Sequence, residues 1–388
     1  MNQVTLNLPQ VKIDVAETEE QKEKIYRARF KIEAKEMKNT ISVSTDKNEY
    51  IKYDYEDNAI IIYAESDDEI IAALSVNFIP TQVNDFFAKN FMTDKFLDYG
   101  EGLSYSSNLI VDPKWKGTAI LGKLLNAFYH ILRRKNIKFD FTDCTPSLVQ
   151  FYEHLGYRRY KENFFENQKG FRIPLVLLVE DFIYLEKLRS PFTKIASVSP
   201  KDENIDEWFN KNFPAYIGVM SERMMPMKDF WSFLANRISD DSVPLLKDLT
   251  DEEVKKFLMS GIVLKSKKGD RIVRKGDIGN ELFVILKGAV EVVGSKDGKE
   301  FPIAVLGKGE IFGEMGFLSQ TERSADVVAI SDLEVLVVNQ SFLRKAMNSM
   351  PTTANKILFN LSIILCERLR SKTRSREDEF TSKTIDGE

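Results

Sequence analysis

The sequence predicts two folded parts of different class: a mixed α/β sheet with flanking helices in front, and a mainly β domain with closing helices behind it. Two observations carry the first part and the count. Short β-branched runs and helix-period stretches follow one another in the order β, α, β, β, β, α, β, α through the first half. The length of 388 residues suits two to three domains, each large enough for its own core. The class of the second part is implied by a motif around a Gly-rich turn at 307–329, taken up after the front half.

Val11 to Val15 alternates like a strand, and Thr18-Glu19-Glu20-Gln21 is a capping-box pattern that predicts a helix to about Met37. Ala59 to Ala64 and Ile70 to Phe78 are apolar runs joined by Glu65-Ser66-Asp67-Asp68-Glu69, which reads as an antiparallel hairpin. Tyr105 to Val111 reads as a strand ending at Asp112-Pro113, with a helix from about Thr118 to Lys135. Phe139 to Asp143 is a further strand, Ser147 to Leu155 a helix, and Phe171 to Val179 finishes this part.

The junction LIVDPKWKGTAILGKLL, from Leu109, is a place for chemistry. Gly117 frees the backbone, and Thr118, Ala119, Ile120 and Leu121, leading to Gly122, place unpaired amides at a helix start, which suits a pyrophosphate. Lys114, Lys116 and Lys123 add positive charge. A plain helix N-terminus is the alternative reading.

This junction resembles the acyl-CoA pyrophosphate motif of the GNAT acyltransferase superfamily, R/Q-x-x-G-x-G/A, written here as Lys114-Trp115-Lys116-Gly117-Thr118-Ala119. PSLVQFYEHLGYRRY, from Pro146, is similar to the superfamily's later helix and closing strand, and Tyr152 matches the tyrosine that commonly protonates the departing thiolate. The first helix, with Tyr26-Arg27-Ala28-Arg29-Phe30 and Glu36-Met37, resembles the N-acyl amino acid synthase and acyl-homoserine lactone synthase branch. Its members move fatty acyl groups to small amines, so the resemblance implies acyl-CoA or acyl carrier protein as donor. Lys114 stands where Gln or Arg is usual and still suits a phosphate as a point charge. Where that branch carries Glu-x-Ser-Arg, this chain has Tyr105-Ser106-Ser107-Asn108, so the usual base and its partner are missing. Glu101 is the substitute candidate, able to deprotonate an amine through a water; a solvated loop carboxylate is the alternative.

The other reactive side chains read as structural. Cys144 has no histidine near it in sequence and suits a small core residue; His130 reads as packing and His154 as solvent-facing. Two histidines and two distant cysteines give no basis for a metal centre or a disulfide framework, which points to a reducing cytoplasm. No targeting or spanning segment is expected: the start has no basic stretch followed by an apolar core, and the most apolar run, Ile173 to Val179, is cut short by Glu180 and Asp181.

Arg189-Ser190-Pro191 is a turn, and Ile195 to Asn204, rich in Ser, Pro and charge, reads as a linker. Phe209, Phe213, Phe230, Trp231 and Phe233 recur at helical spacing and read as packing residues, or as a lid. Met220, Met224, Met225 and Met227 fit a Met-rich helix joint or an acyl tunnel.

GKGEIFGEMGFLSQTERSADVVA, from Gly307, has the make-up of a pocket for a cyclic phosphodiester. Such a ligand asks for a guanidinium, clustered amides and one carboxylate for the ribose hydroxyl. Gly313 lets the backbone approach, and Glu314, Met315 and onward to Phe317 start a short helix with free amides. Glu314 suits the ribose, Arg323 the exocyclic oxygens, and Ser324 and Ala325 add a hydroxyl and an amide. FGEMGFL (312–318) with ERSA (322–325) resembles the phosphate-binding cassette of cyclic nucleotide-binding domains, as in catabolite activators and kinase regulatory subunits. PLLKDLTDEEV from Pro244 resembles the opening helix, and GDRIVRKGD and ELFVILKG, from Gly269 and Glu281, the first strands. The resemblance implies a β jelly roll with capping helices, binding cAMP or cGMP.

Ile357, Leu361, Ile364, Leu365 and Leu369 recur on one helix face, which in that family caps the base or pairs subunits, so a homodimer is one expectation. From Arg370 onward the chain is polar without periodicity, which predicts a mobile tail. A net charge of −4 and the lack of room for a helix-turn-helix after that helix argue against nucleic acid as partner. The domain boundaries expected are 1–190, a helical linker 191–243, 244–370 and the tail 371–388. The expected function is a cyclic nucleotide-regulated N-acyltransferase. The alternatives are a non-catalytic nucleotide-binding protein with a degenerate front half, and a protein lysine acetyltransferase.

Overall fold

The computed structural model describes residues 11–36, 49–80, 85–166, 170–214, 243–258, 260–277, 279–296, 299–319 and 321–385. The chain divides into two compact units, Met1–Phe164 with Arg172–Glu222, and Phe165–Phe171 with Arg223–Glu388. Met37, the four methionines from Met220 to Met227, and Phe230, Trp231 and Phe233 lie outside the described residues.

The front half is built on one sheet in the order β1-β2-β3-β4-β5-β8-β6, with β7 paired to β8. Its strands are β1 (Lys12–Val15), β2 (Ile60–Ser66), β3 (Glu69–Ile79), β4 (Leu103–Val111), β5 (Phe139–Cys144), β6 (Tyr157–Arg159), β7 (Phe164–Glu166) and β8 (Gly170–Leu178). Its helices are α1 (Glu19–Glu36), α2 (Asp85–Phe91), α3 (Thr93–Leu97), α4 (Ile120–Arg134), α5 (Val149–Leu155), α6 (Phe182–Lys187), α7 (Thr193–Ala196) and α8 (Ile205–Asn212). β4 and β5 pair in parallel, because α4 carries the chain back between them.

Two local signals work as expected. The Gln21 amide donates to Thr18 Oγ1 at 3.2 Å and the Thr18 amide to Gln21 Oε1 at 3.0 Å, which closes the capping box of α1. Asp67 and Asp68 both adopt positive φ, 50° and 63°, the backbone of a two-residue turn whose twist matches a β2–β3 hairpin.

Phe96 packs 4.9 Å from each of Phe139, Phe141 and Phe213, and Ile205, Phe209 and Phe213 are buried in the same core. The first core therefore takes in α8, past the expected boundary at residue 190. The stretch expected as a linker is also tied down: Lys138 pairs with Asp202 at 3.3 Å, and Arg133 donates to the Pro200 carbonyl at 2.7 Å. Charge there serves contacts with the sheet's end, which composition alone reads as solvation. His130 is exposed on α4, whose buried face runs through Leu124, Leu125, Phe128, Tyr129 and Leu132. Apolar neighbours in sequence did not mean a shared helix face.

The second half holds two four-stranded sheets, β10-β15-β12-β13 and β14-β11-β16-β9. These are β9 (Ile262–Ser266), β10 (Arg271–Val273), β11 (Glu281–Lys287), β12 (Val290–Lys296), β13 (Lys299–Leu306), β14 (Ile311–Phe312), β15 (Asp326–Ala329) and β16 (Leu333–Asn339). The helices are α9 (Asp251–Leu258), α10 (Glu314–Ser319), α11 (Gln340–Ser349) and α12 (Pro351–Ile385). Leu282, Val284 and Leu286 of β11 share a core with Phe257 and Leu258 of α9 and with Ala354, Ile357 and Leu361 of α12.

α12 departs from expectation twice. Ile357 and Leu361 are buried and Ile364 packs beside them, but Leu369 is 66% exposed, because the helix has passed the edge of the core. The polar stretch expected as a tail is helical to Ile385. Once a packed segment has nucleated a helix, each added residue needs only its own backbone bond and no apolar face.

Candidate functional site

Two places gather the side chains that the sequence singled out. In the front half, β4 and β5 are in register at Leu103–Phe139, Ser104–Asp140 and Tyr105–Phe141 and no further, although β4 runs on to Val111 and β5 to Cys144. The two strands part after Tyr105 and Phe141. β4 also holds one extra residue against β3 between the Ser75–Ser107 and Ala73–Ile110 pairs, and Asn108 there has φ of 56°. This bulge bends β4 where the wedge opens.

One face of the wedge is lined with hydroxyls. Asp140 is fully buried and accepts hydrogen bonds from Ser104, from Ser106 at 2.8 Å and from Tyr157 at 2.5 Å. Burial pushes its carboxyl up to about 7, while the three hydroxyls pull it the other way. Thr142 donates to the Ser106 carbonyl at 2.8 Å, and the Tyr152 hydroxyl from α5 meets Thr142. The Tyr152 ring stands edge-on to Tyr157 at 5.3 Å. Burial pushes the Tyr152 phenol up, so it stays protonated, as a proton donor to a thiolate must.

The opposite face of β5 carries a different arrangement. Asp143 accepts from Tyr105 at 2.5 Å and pairs with Arg172, whose second nitrogen donates to the Asp143 carbonyl at 2.8 Å. Cys144, back on the face of Asp140 and Thr142 and close to Tyr152, is buried and its thiol is pushed up by burial, which fits a core residue and not a nucleophile. His154 is exposed.

Glu101 is not brought into the wedge. It is exposed two residues ahead of β4, at the end where β4 and β5 are still paired, about 17 Å of extended chain from Ser106. A loop carboxylate near a strand in sequence sat at the wrong end of it.

α4 starts at the end of β4 from which the chain leaves the sheet. Gly117 has φ of 82°, a backbone that a side chain would strain, and lies exposed with Lys114, Lys116, Thr118, Ala119 and Gly122. The amides expected there are only partly available. Thr118 N donates to the Trp115 carbonyl at 3.3 Å and Ile120 N to Thr118 Oγ1 at 3.4 Å, so among the described residues Ala119, Leu121 and Gly122 present theirs. The side chain of Ile120 is buried and that of Leu121 half-buried.

In the second half, Gly313, Glu314, Met315, Arg323, Ser324 and Ala325 converge at the start of α10. Gly313 has φ of 82°. A Cβ added at Gly279, Gly313 or Gly316 would meet the Arg323 guanidinium at 2.4, 2.7 or 3.1 Å, so three glycines wall that group in. Arg323 is buried and donates to the Gly313 carbonyl at 2.9 Å, the Glu281 carbonyl at 3.0 Å and Glu281 Oε2 at 2.7 Å. Among the described residues these bonds use part of the five-donor fork and leave N–H groups for an oxyanion. Glu314 pairs with Arg368 of α12 at 2.9 Å, and Arg368 also donates to the Ile311 carbonyl. Met315 is exposed, Ala325 is buried, and the exposed Ser324 hydroxyl lies 3.5 Å from the Met315 sulfur. A guanidinium, α10 amides without helical partners and one carboxylate together fit an oxyanion beside a hydroxyl. The sequence reading missed Glu281 and Arg368, which hold the two charged groups; neither lies in the motif.

Residues 263–350 match the family model of the cyclic nucleotide-binding domain, and residues 23–181 that of the N-acyl amino acid synthase FeeM. The chain thus joins an N-acyl amino acid synthase-like domain to a cyclic nucleotide-binding domain. The cyclic AMP receptor protein of Thermus thermophilus is 34% identical over 128 residues, 33% of this chain and 57% of that protein. The human cGMP-dependent protein kinase 2 is 38% identical over 102 residues, 26% of this chain and 13% of the kinase. Both matches cover less than two thirds of the relative's length. Among solved structures, the Thermus thermophilus catabolite activator protein matches with 32% identity and a TM-score of 0.32, over 34% of this chain and 62% of that one. Among the described residues no helix is long and apolar enough to cross a membrane.

Proposed function

We propose that the protein is a cyclic nucleotide-regulated N-acyltransferase that moves an acyl group from acyl-CoA or acyl carrier protein to an amine. The observation that carries this reading is the parting of β4 from β5 after Tyr105 and Phe141, with Tyr152 and the start of α4 at the open end. A thioester lying in the gap would have its sulfur toward Tyr152 and its phosphates toward the amides of Ala119, Leu121 and Gly122, with Lys114, Lys116 and Lys123 nearby in sequence. The amine attacks the thioester carbon directly, and Tyr152 gives its proton to the departing thiolate.

In the second half, the effector is cAMP or cGMP, and a hydroxyl at Ser324 serves either base. Its phosphate takes the remaining N–H groups of Arg323, and its ribose hydroxyl competes with Arg368 for Glu314. Binding then loosens the hold of α10 on α12, which supplies the differential contact that regulation requires. A homodimer through the exposed Phe359, Ile363 and Leu369 of α12, and a cytoplasmic location, belong to the same reading.

The test is thiol release by the full chain from acetyl-CoA and palmitoyl-CoA, with a panel of amino acids, with and without cAMP or cGMP. Amine-dependent release that changes with nucleotide supports the reading. Nucleotide binding without donor turnover, from CoA or from acyl carrier protein, would leave the non-catalytic alternative; acylation of added proteins in place of small amines would favour the lysine acetyltransferase.

A further inference from the structure

Three buried acids in the front half have a cation against them. Glu56 pairs with Arg29 at 2.8 Å, and Asp143 and Asp181 pair with Arg172 and Arg158. That is how a carboxylate is ordinarily kept ionised away from water. Asp140 is as deeply buried, yet its hydrogen-bond partners are three neutral hydroxyls. Its hydrogen-bond partners among the described residues are Ser104 and Ser106 from β4 and Tyr157 from β6, with Tyr152 of α5 edge-on to Tyr157; Cys144, further along the same face of β5, feels Glu153 of α5 and Arg159 of β6, which pair with each other at 2.8 Å.

Its position is as informative as its partners. Ser104 and Asp140 are opposite each other in the last stretch where β4 and β5 remain paired, and Ser106 is the first β4 residue past that pairing. The Ser106 hydroxyl, 2.8 Å from Asp140 Oδ1, therefore connects a closed carboxylate to the floor of the wedge. We infer that Asp140 is the proton acceptor of acyl transfer, reached through the Ser106 hydroxyl, in place of the carboxylate that β4 lacks. The inference rests on the acyltransferase reading and names the base of that same site.

The step balances as follows. The amine lone pair forms the N–C bond to the thioester carbon, and the C–S bond breaks as the thiolate takes the Tyr152 phenol proton. The amine proton passes to Ser106 Oγ while the Ser106 proton moves to Asp140. After release, solvent returns a proton to Tyr152 and removes one from Asp140, so thioester and amine give amide and thiol. Burial has already raised the Asp140 carboxyl to about 7, where an acceptor works best near neutral pH.

The experiment measures kcat/KM, calculated on the concentration of unprotonated amine, for thiol release from palmitoyl-CoA to an accepting amino acid between pH 5.5 and 9, on full-length wild type, D140N, D140E and S106A. Wild type should lose activity below pH about 7 as Asp140 takes up its proton. D140N should be about 100-fold slower with the acid limb gone, D140E should restore part of the rate with a displaced limb, and S106A should slow transfer about 10-fold with donor affinity kept. A D140N enzyme that is slower but retains the acid limb assigns Asp140 a structural role and overturns the inference. Carbon-13 NMR of the aspartate carboxyls, compared between wild type and D140N, reads the same group without turnover. An Asp140 ionised at every pH above 5 overturns its role whatever the activity, whereas titration near 7 in a chain that turns over no donor counts against the acyltransferase reading alone.

Discussion

The nucleotide cradle and the strand wedge deal with buried charge in opposite ways. In the cradle each charge meets a countercharge: Arg323 is 2.7 Å from Glu281, and Glu314 is 2.9 Å from Arg368. In the wedge the partners of Asp140 among the described residues are hydroxyls. A paired charge keeps its protonation state and responds to a ligand by exchanging partners; an unpaired carboxylate keeps its partners and responds by changing protonation. The first arrangement suits a sensor, the second a proton-transfer site.

Breaking the cradle should have the largest effect. R323A leaves Glu281 buried without its cation, so stability should fall by about 3–5 kcal/mol, and nucleotide affinity should fall at least about 100-fold. In the R323A/E281A double variant most of the stability should return and the affinity should not, as urea titration and calorimetry would show; recovered affinity would break the comparison. Y152F should slow acyl transfer about 100-fold with the donor dissociation constant unchanged, read by single-turnover kinetics and equilibrium binding.

The wedge should also leave a signature in stability. The folded Asp140 pKa, about 7, lies above its ordinary value of 3.8, so the folded chain holds a proton that the unfolded chain has lost. That contribution is complete below pH about 4 and is lost as pH rises through about 7, by at most about 1.4 kcal/mol per pH unit. D140N should flatten that slope in urea titrations at pH 5, 6 and 7. The smallest expected effect is that of R368M, which removes the competitor for Glu314: cAMP or cGMP should bind about 5-fold more tightly, roughly 1 kcal/mol. Weaker binding would mean that Arg368 positions Glu314 for the ribose instead of occupying it.

What the sequence showed of these sites was what is local in it. The Thr18–Gln21 capping box, the Asp67–Asp68 turn and the grouping of Gly313, Glu314, Arg323 and Ser324 each lie within a single short stretch of chain, and the residue types alone limit the geometry. The partners that set the chemistry are distant. Glu281 lies 42 residues from Arg323, and Arg368 lies 57 from the Ile311 carbonyl it also holds. Asp140 meets Ser106 only because a helical crossover brings β5 parallel to β4, and no spacing rule announces that register. Glu101 misled for the same reason: closeness to a strand in sequence says nothing of which end the strands open. The stretch past Arg370 lacked an apolar period, so its helix was invisible to a reading based on buried faces.

On the proposed reading, that helix would give the cradle mechanical reach. Arg368 sits near the middle of the 35-residue α12, and the 17 residues from there to Ile385 extend about 26 Å. A tilt of about 10° with its fulcrum at Arg368 would carry the far end about 4–5 Å, since rise per residue sets the arm. On the proposed reading, exchanging the Arg368–Glu314 ion pair for a ribose hydroxyl would free that arm at its root, so a small change of tilt there would be read as several ångström at its tip.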